Sequence, residues 1–136
     1  MGEAVTEKPR VLMVDDDADF KDIVGGWLAA GYEFMAMDGE GDLVERVAAA
    51  GPDLLILDVR MPGANGFEVC ARLRGDPRVG SLPVLFMTGA PEGQDFVSKL
   101  KAGGTAFLMK PVEKRRLLAV LRELLPDERE SLGAGD

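Results

Sequence analysis

Four short apolar runs constrain this chain more than any other feature. Residues 11–14 (VLMV), 54–57 (LLIL), 84–87 (VLFM) and 106–109 (AFLM) are each flanked by charged, polar, glycine or proline residues. A run of four without a polar break leaves neither face of a strand for water, so it suits a parallel sheet covered on both sides. Residues 32–37 (YEFMAM) alternate instead, which is the pattern of an edge strand. Helical patterns separate the five strand candidates. Phe20, Ile23, Val24, Trp27 and Leu28 fall at one-face spacing, with Gly31 as the expected stop. Within that helix Gly25 and Gly26 each cost about 1 kcal/mol relative to alanine. Further helices are expected over residues 41–50, 65–74, 92–102 and 112–125, the last turning Leu117, Val120, Leu121 and Leu124 inward. Five strand-then-helix repeats with short connections imply parallel strands, right-handed crossovers and helices on both faces.

The length of 136 residues fits one domain. It is expected over residues 10–125, between a polar N-terminal tail, residues 1–9, and a flexible acidic C-terminal tail, residues 126–136. Composition then removes whole classes of chemistry. The chain has no histidine, which excludes Ser-His-Asp and Cys-His nucleophile systems, His-ligated metals and a phosphohistidine carrier. Its formal charge of −8 sets a repulsive field against nucleic acid, so no direct nucleic-acid contact is expected. No apolar run approaches the ~20 residues that cross a bilayer, and no membrane partner is expected. The single Cys70 permits no intrachain disulfide and residues 1–9 lack an apolar signal core, so a reducing cytoplasm is the expected compartment.

Doubly wound sheets place their sites beyond the carboxyl ends of the strands. There the runs deliver Asp15-Asp16-Asp17, Asp58, Thr88-Gly89 and Lys110-Pro111. Like charges 4 Å apart repel by roughly 4 kcal/mol at an effective dielectric of 20. One lysine cannot neutralise such a cluster, whereas a hard divalent cation can. Mg²⁺ takes carboxylate and carbonyl oxygens and keeps positions for water and phosphate. The residues thus point to an acidic Mg²⁺ pocket holding a lysine and a hydroxyl, in which a carboxylate could attack phosphorus.

The stretches VLMVDDD (residues 11–17), DLLILDVRMPGANGFE (53–68), VLFMTGA (84–90) and AFLMKP (106–111) resemble the receiver domain of two-component response regulators. Four motifs in order, covering nearly all of residues 10–125, carry the resemblance. It implies a flavodoxin-like three-layer sandwich with five helices, strand order 2-1-3-4-5, and phosphoryl transfer from a histidine kinase or phosphotransfer protein to an aspartate. By position, Asp58 is the phosphoacceptor. Asp16, Asp58 and the backbone carbonyl of Arg60 would bind Mg²⁺, with Asp15 acting mainly through water. Lys110 would pair with Asp58 or the phosphoryl group, Thr88 would turn its hydroxyl toward it, and Gly89 would keep space open beside Thr88. Phe107 takes the switch-aromatic position, where ring burial must carry the signal without a hydroxyl. The Lys110–Pro111 bond is expected to be cis, aiming the lysine inward. Arg60, two residues past the acceptor, could pair with Asp17, guide phosphate or shield an acyl phosphate from water.

Plainer roles compete at each position. Asp15, Asp16 and Asp17 could cap a helix, Thr88 could be a β-former, and Lys110 a surface lysine. Cys70 reads as packing, and Gly39-Glu40-Gly41 lacks the rest of a dinucleotide fingerprint. Three functions follow. The first is a phosphorylation-controlled signalling switch that is not a turnover enzyme. Its output passes to a downstream protein effector through the face of the fourth helix, fifth strand and fifth helix. That face carries Lys99, Lys101, Lys114, Arg115 and Arg116, which would suit an acidic partner, and it offers a surface for a homodimer. No effector domain is expected after residue 125. The second is a Mg²⁺-dependent aspartyl phosphatase, against which stand Arg60 where an Asp-x-Asp pair is wanted and the lack of a substrate cap. The third is a receiver-like interaction module without phosphoryl turnover.

Overall fold

A computed structural model describes residues 8–89 and 103–125 of the chain. Three of the four apolar runs form the centre of a parallel five-stranded sheet. The fourth, residues 106–109, corrects the expectation of burial on both faces, since it lies at the second edge with only Leu108 buried and Met109 45% exposed. The strands of the sheet are β1 (Arg10–Val14), β2 (Glu33–Met37), β3 (Leu54–Leu57), β6 (Val84–Thr88) and β7 (Ala106–Met109). The order β2-β1-β3-β6-β7 is the expected doubly wound arrangement, with the alternating strand at one edge. Register is even across the middle, Val11 facing Leu54 and Leu57 facing Phe86.

Alternation along each central strand feeds two separate cores. Leu12, Val14, Leu55, Leu57, Val84 and Phe86 pack under α2 (Leu43–Ala50) and α3 (Gly66–Arg74). Val11, Met13, Leu54, Ile56, Leu85 and Met87 pack under α1 (Ala18–Leu28) and α4 (Lys114–Leu124). All of these strand residues are essentially without solvent exposure, which is why no polar break was tolerated in the runs. The described residues contain four helices; the helix expected over residues 92–102 lies outside them, as do residues 1–7 and 126–136 and the side chains of Lys99 and Lys101.

Helix ends follow local capping chemistry. Asp17, Asp42 and Asn65 cap α1, α2 and α3, accepting hydrogen bonds from the backbone N–H of Phe20, Glu45 and Phe67 respectively. These caps set starts within two residues of those read from the sequence. Two expectations need correction. The stop of α1 is not Gly31: the helix ends at Leu28, whose carbonyl accepts from the N–H groups of both Gly31 and Tyr32. Ile23 does not join the buried stripe and is 50% exposed, because the stripe is centred on Val24 and Leu28 and Ile23 falls to its rim.

One element had no counterpart in the sequence reading. After β3 the chain folds into a two-stranded ribbon, β4 (Arg60–Met61) and β5 (Ala64–Asn65), turned by Pro62 and Gly63, the latter at φ 74°. The ribbon returns the chain onto the end of β3, where Gly66 N–H donates to the Val59 carbonyl at 2.8 Å. A Cβ at Gly66 would stand 2.4 Å from the Asp58 carbonyl oxygen. Gly66→Ala is therefore expected to destabilise the fold by about 2 kcal/mol, since backbone must move. Urea unfolding checks this, and a change below about 0.5 kcal/mol would contradict the close approach.

Candidate functional site

The consecutive acids after β1 divide three ways. Asp15 is buried at 1% exposure, Asp16 is exposed, and Asp17 turns away to cap α1. The plain capping role is thus real for Asp17, while its neighbours face a different task. Asp15 N–H donates to the Met37 carbonyl and Asp58 N–H to the Val14 carbonyl, so ladder-like hydrogen bonds carry both aspartates just past the strand ends. Oxygens of Asp15, Asp16 and Asp58 lie within 4.8 Å of one another, the only such ligand group among the described residues.

Lys110 closes the cluster. It follows β7, its N–H donates to the Thr88 carbonyl at 2.9 Å, and the Lys110–Pro111 bond is cis. Its ammonium donates to Asp15 Oδ2 at 2.9 Å and to Asp58 Oδ2 at 3.5 Å. The Nζ also lies 4.9 Å from the centre of the Phe20 ring. Asp58 Oδ1 accepts weakly from the Arg60 N–H at 3.3 Å, and Asp15 Oδ1 accepts from Asp17 N–H at 2.9 Å. Asp58, Arg60, Thr88, Gly89 and Lys110 line an open cleft of about 290 Å³. Thr88 is buried, and Arg60 is exposed at the mouth. Phe107 is half-buried against the α2/α3 core, opposite Phe86 in the strand register. A Cβ at Gly89 would meet Lys110 Cβ at an ordinary 3.8 Å, so packing there does not by itself demand glycine.

The electrostatics of the cluster favour an added positive charge. Burial pushes the Asp58 carboxyl above its ordinary range and the Asp15 charge adds to this, while Lys110 opposes both. Burial alone would lower the Lys110 ammonium, but its hydrogen bond to Asp15 and the charges of Asp15 and Asp58 outweigh that, and the net direction is up. The lysine is therefore firmly cationic at neutral pH. Three carboxylates with one lysine still leave net negative charge around a set of hard oxygen donors, and this donor set fits Mg²⁺.

Gly66 and Phe20 were missed by the sequence reading as parts of the site. Asn65-Gly66, a helix cap followed by a residue without Cβ right after the turn, was the available signal for the first. Phe20 looked like one more residue of an amphipathic stripe.

Comparison with known proteins places these features in a family. Residues 11–122 match the model of the response regulator receiver domain. The DNA-binding dual master transcriptional regulator RpaA of Synechocystis is 38% identical over 120 residues, covering 86% of this chain and 49% of that protein. The response regulator PleD of Caulobacter vibrioides is 38% identical over 117 residues, 85% of this chain and 26% of that protein. The chain thus spans half or less of the length of these relatives. Among solved structures, the chemotaxis protein CheY4 of Vibrio cholerae superposes with a TM-score of 0.76 at 27% identity, covering 87% of this chain and 99% of that one.

Asp58 holds its proton more tightly folded than unfolded, so its ionisation destabilises the metal-free fold. That penalty is absent below the ordinary carboxylate range and complete once pH exceeds the raised folded value. Asp58→Asn in chelator is accordingly expected to gain about 1 kcal/mol at pH 7, a gain that shrinks as pH falls through the carboxylate range. Urea unfolding across pH checks it; a loss of stability at pH 7 would contradict the repulsive account.

Proposed function

The chain belongs to the response regulator receiver domain family, and from that premise we propose that Asp58 is the residue through which it works as a phosphorylation-controlled switch. The observation that carries this reading is the convergence of Asp15, Asp16, Asp58 and Lys110, from three strand ends, on one cleft that also holds Thr88. A histidine kinase or phosphotransfer protein is the donor. An Asp58 carboxylate oxygen forms the new P–O bond as the donor P–N bond breaks and the imidazole leaves with that electron pair. Asp15, Asp16, Asp58 and the Arg60 carbonyl would hold Mg²⁺, which supplies charge neutralisation on the phosphoryl oxygens.

The chain's own groups do the rest. Lys110, already 3.5 Å from Asp58, moves its ammonium onto a phosphoryl oxygen, a shift favoured once Asp58 is an acyl phosphate and the negative charge has passed outward to the phosphoryl oxygens. The Thr88 hydroxyl turns to another phosphoryl oxygen. Because Thr88 ends β6 beside β7, its displacement lets the half-buried Phe107 ring move further into the α2/α3 core. The readout surface is β7 with α4, where Met109 is 45% exposed and Lys114, Arg115 and Arg116 face solvent. An acidic protein effector fits this face, and so does a second copy of the chain. Residues 10–125 form the switching unit. This is a stoichiometric modification of the chain itself rather than turnover of a substrate pool.

The DNA-binding description of RpaA belongs to a protein about twice as long as the matched segment, so it says nothing against an acidic receiver whose output is protein contact. Among the described residues, no helix is long and apolar enough to cross a membrane.

Intact mass after incubation with phosphoramidate tests the reading without a kinase. One Mg²⁺-dependent phosphoryl adduct is expected on the native chain and none on Asp58→Asn. No adduct on the native chain, with Mg²⁺ binding confirmed separately, would overturn it.

A further inference from the structure

Building on the switch reading, we propose that Phe20 is a positioning residue for Lys110. The face of its ring holds the ammonium at the site when Mg²⁺ and the phosphoryl group compete for the carboxylates. Among the described residues the Lys110 ammonium lies 2.9 Å from Asp15, 3.5 Å from Asp58 and 4.9 Å from the centre of the Phe20 ring. The first two are the carboxylates that a divalent cation would occupy. A bound divalent cation would weaken both ion pairs and repel the ammonium at the step where it is needed. The ring is no metal ligand, so its attraction for the ammonium survives. A cation within about 6 Å of a ring centroid is drawn to the negative face, more so where water is sparse, and the Lys110 side chain is only 23% exposed.

Phe20 is held firmly enough for this role. It sits in the first turn of α1, where its N–H donates to the Asp17 cap at 3.0 Å. Its side chain packs against the core beneath α1 and α4. The Asp15-Asp16-Asp17 stretch and the ring are thus one unit: two acids for the cation, one cap to fix the turn, and the aromatic that turn presents to the lysine. Leucine would fill the same space and keep the core but lose the quadrupole.

Replacing Phe20 with 4-fluoro-, 3,5-difluoro- and 3,4,5-trifluorophenylalanine drains the ring face stepwise while nearly conserving shape. In metal-free protein the Lys110 ε-methylene protons should be shifted upfield by the ring, and Phe20→Leu should abolish that shift. With saturating Mg²⁺, the rate of phosphorylation by phosphoramidate should fall stepwise through the fluorinated series, reaching a loss of about three- to tenfold. Equal rates across the series, or an unchanged Lys110 shift in Phe20→Leu, would overturn the proposal. If the unsubstituted chain takes no phosphoryl group, the switch reading fails on its own account. The metal-free lysine shift then still decides whether the ring holds the ammonium.

Discussion

The mutual repulsion of Asp15, Asp16 and Asp58 is the constraint on which the rest of this structure depends. No fold gathers three carboxylates within 4.8 Å for stability's sake, and two of them are almost fully buried. Lys110 offsets part of the charge but reaches Asp58 only at 3.5 Å. The remaining imbalance leaves the cleft attractive to positive charge, and the phosphoryl transfer proposed above would depend on it.

Everything around the cluster serves to hold it against that repulsion. Two apolar cores clamp the sheet from both faces, so the ends of β1 and β3 cannot drift apart to relax the aspartates. The ribbon of residues 60–65 folds the chain back so that Gly66 N–H bonds the Val59 carbonyl and its backbone lies too close to the Asp58 carbonyl for a side chain, which holds the end of β3 in place. At the opposite end of the sheet, Arg74 donates to the carbonyls of Gly80, Leu82 and Gly103, tying the end of α3 to the segments that enter β6 and β7. The site is thus a repulsive electrostatic arrangement on a packed base, with Thr88, Phe107 and Lys110, the residues the proposed switch would move, grouped on β6, on β7 and just after β7.

Much of this was legible in the sequence, for a physical reason. Strands buried on both faces tolerate no polar residue, so VLMV, LLIL and VLFM announce themselves, and the first polar residue after each marks a strand end. Together with AFLM before Lys110, this places Asp15, Asp16, Asp58, Thr88 and Lys110 at one rim. Legibility failed where the outcome depends on long-range geometry. Ile23 has the spacing of a core residue, but where the stripe points is fixed by what α1 packs on. Met61-Pro62-Gly63-Ala64 contains turn chemistry, yet pairing across two-residue strands carries no periodicity to read. The contact of Phe20 with Lys110 joins residues far apart in the chain, and a helical stripe cannot tell which of its apolar members will meet a cation.

The central claim, that the buried carboxylate at the end of β3 is the phosphoacceptor, is tested most directly by locating the modified atom. Reduction of the phosphoramidate-treated chain with borohydride converts an aspartyl phosphate to homoserine, which peptide mass mapping assigns to a position. The account predicts homoserine at position 58 and at no other aspartate. Homoserine at position 15 or 16, with position 58 unchanged, would contradict it.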